Sequence, residues 1–163
     1  MSRVVFMCGP SGAGKSTYAN LLEKQGMVRL SADVELFARG VTEVPPPDEV
    51  RAEIHVELKQ RLLALVAEGR DVVLDLSFWS RAMRDEWRDL LAPTGIVPQT
   101  IYLATDKPTI LARLRERRGA HAHDFVLDEA LAERYVDHFE VPTPQEGPLT
   151  VVRPENQDRT ASD

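Results

Sequence analysis

The chain has 163 residues, 43% of them apolar, and 20 basic against 26 acidic side chains, for a formal net charge of −6. That size and apolar content suit one ordinary core, so a single domain is expected, and the acidic balance argues against a polynucleotide as first-choice partner. One cysteine and four histidines exclude a disulfide framework and the spacing of a structural zinc site, and the apolar run from Val4 to Cys8 is too short for a signal-peptide core or a membrane span; a cytoplasmic protein with Cys8 as a buried thiol is expected.

Val4 to Cys8 is uninterrupted by polar residues and stops at Gly9, which reads as a strand buried on both faces. Lys15 to Lys24 is the following helix, closed by Gly26, and Met27 to Leu30 is the second strand. After Pro45-Pro46-Pro47, which cannot lie inside a helix, Val50, Ile54, Leu58, Leu62 and Leu65 recur at helical spacing from Asp48 to Glu68. Val72 to Leu76 is the third strand. Ser80 is the N-cap of a helix running to about Leu91, with Trp87 on its core side, and Thr100 to Leu103 is the fourth strand. Pro108 fits the first turn of a helix carrying Ile110, Leu111 and Leu114. Asp128 opens another helix through Leu131 and Tyr135, the latter expected in the core. Leu149 to Val152 is a fifth strand, and residues 154–163 read as a flexible tail.

Alternating strands and helices imply an α/β fold of three layers, a P-loop NTPase-type five-stranded parallel sheet with helices on both faces, over residues 1–153. Ligands bind such sheets at the C-terminal strand edge.

That edge carries Gly9-Pro10-Ser11-Gly12-Ala13-Gly14-Lys15-Ser16-Thr17, the phosphate-loop pattern, placed between a buried strand and a helix as the pattern requires. Glycines allow backbone N–H groups to turn around phosphates, and the helix adds its positive N-terminal end. Lys15 is expected on the outer phosphates of ATP, and the Ser16 hydroxyl on Mg2+. No Asn-Lys-x-Asp base-reading motif is present, which favours ATP over GTP. Asp33 and Asp75 close the second and third strands at the same edge. One such carboxylate can hold Mg2+ or its waters, and the other can take the proton of an attacking hydroxyl.

The order of phosphate loop, Ser31-Ala32-Asp33, Val72-Val73-Leu74-Asp75, Ser80-Arg81 and an arginine-rich helix end resembles the small P-loop kinase family. That family includes AAA-type ATP-binding proteins, zeta-type toxins, chloramphenicol phosphotransferase and the kinase domains of polynucleotide kinases. The resemblance implies that Asp33 is the general base, that Arg81 faces the active site, and that Arg113 and Arg117 belong to a lid over about 113–127. Lid arginines would neutralise charge on the transferred phosphoryl group and the leaving diphosphate. Asp75 is then expected to organise Mg2+ or substrate.

Ala32 and Leu36 stand where the polynucleotide kinases carry arginines, which weighs against a polynucleotide 5′-hydroxyl acceptor. Phe78 and Trp79 suggest an aromatic wall suited to a small organic acceptor, with base stacking as the other use. The expected activity is therefore an ATP·Mg-dependent kinase acting on a small hydroxyl compound. A polynucleotide kinase and a nucleotide-dependent regulatory ATPase are the alternatives. His121, His123 and Asp124 read better as part of a closing loop than as a transition-metal site.

Overall fold

The computed structural model describes residues 2–10, 12–43, 45–116 and 129–153. β1 (Val4–Cys8), β2 (Val28–Ser31), β3 (Val72–Asp75), β4 (Gln99–Leu103) and β5 (Leu149–Val152) form one parallel sheet in the order β2-β3-β1-β4-β5. Around it lie α1 (Lys15–Lys24), α2 (Ala32–Ala38), α3 (Asp48–Ala67), α4 (Arg81–Leu91), α5 (Lys107–Glu116) and α6 (Glu129–Asp137). The expected α/β class and five-stranded parallel sheet are both present.

β1 is apolar throughout because both of its faces are covered. Val4, Phe6 and Cys8 join one core with Leu30, Leu58 of α3 and Trp87 of α4. Val5 and Met7 join a second core with Ala19 of α1, Ile101 and Ile110 of α5. The period of two along the strand sends alternate side chains into the two layers.

Two local readings change. β2 passes into α2 without a loop, because the hydroxyl of Ser31, the last residue of β2, accepts the Val34 N–H at 3.3 Å and caps the helix. A seven-residue helix is too short to show a helical period in the sequence. Trp87 is fully buried as expected, but Tyr135 is exposed. Ala132 and Val136, four residues apart, carry the packed face of α6 instead. The cap expected at Ser80 forms, its Oγ accepting from Met83 N at 3.1 Å. No helix among the described residues is long and apolar enough to cross a membrane.

Candidate functional site

The loop from Gly9 to Gly14 joins β1 to α1, and Lys15 is the first residue of that helix. Gly14 sits at the N-cap with φ 102°, and Gly12 has φ 87°. α5 lies across the loop: a Cβ at Gly12 would stand 3.1 Å from Ile110 Cγ2 and 3.2 Å from both the Ile110 carbonyl and Leu114 Cγ. Two donors brace it from the same direction, Thr105 Oγ1 to the Ala13 carbonyl at 2.9 Å and Arg113 Nη1 to the Gly12 carbonyl at 3.3 Å. Gly12→Ala therefore meets both a disfavoured backbone angle and a filled space. It is expected to destabilise the fold by about 1–2 kcal/mol, read as a lowered midpoint in denaturant; an unchanged midpoint contradicts the packing described.

Asp75 ends β3, in register with Met7 of β1 and Ser31 of β2. Its side chain is 5% exposed, and Oδ2 accepts from Arg29 Nη2 at 2.8 Å and from Ser16 Oγ at 3.3 Å. Arg29 is itself anchored by donating to Asn20 Oδ1 at 2.9 Å. The pairing compensates the burial of both charges. Asp33 stands in the first turn of α2, at the surface, because the Ser31 cap starts the helix just where β2 reaches the sheet edge.

A cleft of about 380 Å³ joins these groups. It begins at Lys15 and Asp75, passes Asp33 and Leu36, and reaches Arg51, Ile54 and His55 on α3, with Ser77, Trp79 and Met83 also on its walls. Burial, reinforced by the charge of Lys59, holds the His55 imidazole below its usual pKa, so this wall offers a neutral ring at neutral pH. Arg51 is paired with Asp48, one helical turn away.

The structure separates the expected aromatic pair. Trp79 is 53% exposed and lines the cleft, whereas Phe78 is fully buried, stacked on Phe6 with centroids 4.3 Å apart and edge-on to Trp87 at 6.0 Å. Phe78 is thus a core residue behind the wall. Arg81 pairs with Asp85 at 3.6 Å and does not line the cleft. Among the phosphate-loop residues Pro10 is buried and Thr17 exposed. Ser11, Arg117, Arg118, His121, His123 and Asp124 lie outside the described residues.

Arg29, Arg84 and Glu146 were not singled out from the sequence. Arg84 is fully buried on α4, at helical spacing from Trp87 and Leu91 on the same buried face; that spacing was the available signal. Its Nε and Nη2 donate to Glu146 Oε1 at 2.8 Å and Oε2 at 3.1 Å, and its Nη1 donates to the Phe78 carbonyl at 2.7 Å. Arg88 Nη1 and the Thr143 N–H also donate to Glu146, at 3.1 and 3.0 Å. Burial alone would raise the Glu146 pKa, but the bonds from Arg84, Thr143 and Arg88 pull it down to about 2. Burial pushes the Cys8 thiol the other way, up to about 12, so Cys8 stays protonated and donates to the Phe78 carbonyl at 3.5 Å.

Because the folded pKa of Glu146 lies below its ordinary 4.5, its stabilisation is complete above that pH and is lost as pH falls towards 2. Glu146→Gln is expected to flatten that part of an acid-unfolding profile. An acid limb as steep in the variant as in the parent contradicts the assignment.

A family model described as an AAA domain matches residues 4–142 of the chain. The chain belongs to this AAA-domain family. The AAA-domain chain is 32% identical over 135 residues to a nucleotide-binding protein of Pseudomonas savastanoi pv. phaseolicola (strain 1448A / Race 6), an alignment covering 83% of this chain and 43% of that protein. It therefore spans less than half the length of that relative. Among solved structures it superposes on a putative kinase from Chloroflexus aurantiacus J-10-fl (TM-score 0.75, 20% identity, covering 99% of this chain and 94% of that one). It also superposes on a sugar kinase from Janibacter sp. HTCC2649 (TM-score 0.72, 21% identity, 99% and 92%). These likenesses establish the fold, and the AAA-type kinship expected from the sequence holds.

Proposed function

We propose that this chain is an ATP·Mg-dependent phosphotransferase that phosphorylates a hydroxyl of a small acceptor held in the cleft beside the phosphate loop. The observation that carries the reading is that one cleft holds Lys15 at the loop end and Asp33 beside an acceptor-sized space, with Asp75 between them in the sheet edge. The name of the Pseudomonas relative, a nucleotide-binding protein, supports the nucleotide half.

The phosphate loop and the N-terminus of α1 bind the triphosphate, and the Lys15 ammonium takes the outer phosphates. The Ser16 hydroxyl and the Asp75 carboxylate, hard oxygens already one hydrogen bond apart, suit Mg2+. When bound, Mg2+ supplies charge neutralisation of the phosphates. Arg29 keeps the Asp75 carboxylate oriented towards Ser16. Asp33 accepts the proton of the acceptor hydroxyl as its oxygen forms a bond to the terminal phosphorus and the bond to the bridging oxygen breaks, releasing ADP. Arg113, at the loop, and Arg117, outside the described residues, stabilise the charge that develops in transfer. Trp79 and Ser77 wall the acceptor.

The test is partition of label from γ-labelled ATP·Mg among a set of nucleosides, sugars, aminoglycosides and a short oligonucleotide. Label in a small hydroxyl compound is the expected result. Label in the oligonucleotide instead makes the protein a polynucleotide kinase, and release of free phosphate alone makes it a nucleotide-driven switch.

A further inference from the structure

We propose that the buried Arg84–Glu146 pair is the positioning device of the acceptor wall, fixing the Ser77–Phe78 turn through the Phe78 carbonyl and thereby setting where Ser77 and Trp79 stand in the cleft. The inference rests on the reading of the cleft as the acceptor's site. Neither member of the pair lines the cleft, so both act through the turn.

The turn is strained. Ser77 and Phe78 are consecutive non-glycine residues at φ 71° and 49°, a conformation that persists only where its surroundings over-determine it. The surroundings do so from three sides. The Ser77 carbonyl accepts the Gly9 N–H at 3.0 Å, the Phe78 ring is locked against Phe6 and Trp87, and the Trp79 carbonyl accepts the Glu140 N–H at 2.8 Å. The Phe78 carbonyl, at the centre of the strain, receives the Arg84 guanidinium at 2.7 Å. Its other donor is the Cys8 thiol at 3.5 Å, which is a weak one.

A leucine or methionine at position 84 would fill the buried face of α4 beside Trp87 and Leu91 without taking a charge out of water. What an aliphatic side chain cannot supply is the donor to Phe78. Glu146, 2% exposed and itself held by Arg88 and the Thr143 N–H, is what makes a fully buried guanidinium tolerable there. The segment ahead of β5 therefore reaches the acceptor wall through Arg84. On the nucleotide side Ser16 and Asp75 are held by a separate set of contacts, through Arg29 and Asn20. A loosened turn should thus disturb the acceptor end more than the nucleotide end, which it meets through the bond from the Gly9 N–H to the Ser77 carbonyl.

The experiment pairs Arg84→Met with Glu146→Leu, which removes both charges together and leaves neither buried alone. The first readout is a proton–nitrogen NMR spectrum, in which the Trp79 indole and the amides of Ser77, Phe78 and Trp79 are expected to shift or broaden while the amides of Ser16 and Arg29 keep their places. The second is kinetics with the acceptor found by label partition. kcat/KM for the acceptor is expected to fall about tenfold or more, with KM for ATP within about twofold. A folded double variant whose Ser77 to Trp79 signals coincide with the parent's overturns the proposal, as does an equal loss on both substrates. Should the double variant not fold, Arg84→Lys, which keeps the charge but loses the planar fork, is read the same way. The spectrum needs no acceptor and no turnover, so failure of the kinase reading and failure of this one are separable.

Discussion

Replacing Asp33 with Asn is expected to lower phosphoryl transfer by about 10²–10⁴-fold while leaving the affinity for ATP·Mg unchanged. Asn matches the shape of the carboxylate and can still orient a hydroxyl, but it takes no proton, so the loss isolates base catalysis. The position is set by simple means. Ser31 ends β2 and caps α2, which delivers the second residue of the helix to the cleft rim. Single-turnover transfer and calorimetric titration of ATP·Mg measure the two halves. Undiminished transfer removes Asp33 as the base, and a comparable loss of nucleotide affinity moves it to the nucleotide side.

Glu146→Ala is expected to cost about 3–5 kcal/mol of folding stability, because it strands a fully buried guanidinium. Against a total stability of about 5–15 kcal/mol for an ordinary domain, that is a large share of the margin. Arg88 does not rescue Arg84, since it is a second cation whose other partners are Asp85 and Thr100. Denaturant unfolding at neutral pH gives the value. The contrast with removing both partners together is the informative part: a large loss in the single variant and a small one in the pair show that stranded charge, not lost packing, is what destabilises. A single variant within about 1 kcal/mol of the parent contradicts the burial described for the pair.

Much of the fold was legible because its sequence features are local. Val4 to Cys8 shows burial on both faces, the loop from Gly9 to Thr17 fixes a strand–loop–helix unit, and Ser80 opens α4. The edge carrying Asp33 and Asp75 follows from the sheet being parallel, which alternating elements already require. What stayed hidden depends on pairings distant in sequence. Arg29 meets Asp75 across 46 positions and Arg84 meets Glu146 across 62, and no local period encodes either. Phe78 and Trp79 are adjacent in sequence, and only the left-handed turn at Ser77 and Phe78 decides which of them faces the core. Tyr135 is exposed because the packed face of α6 runs through Ala132 and Val136, about 100° round the helix from Leu131 and Tyr135.

Phosphorus NMR of the protein with ATP·Mg and a mixture of small hydroxyl compounds observes phosphoryl transfer itself. Under the phosphotransferase reading the terminal-phosphate resonance declines as a phosphomonoester resonance grows, and both changes stop in the Asp33→Asn variant. A spectrum in which ATP gives only ADP and inorganic phosphate, whatever hydroxyl compound is present, would contradict it.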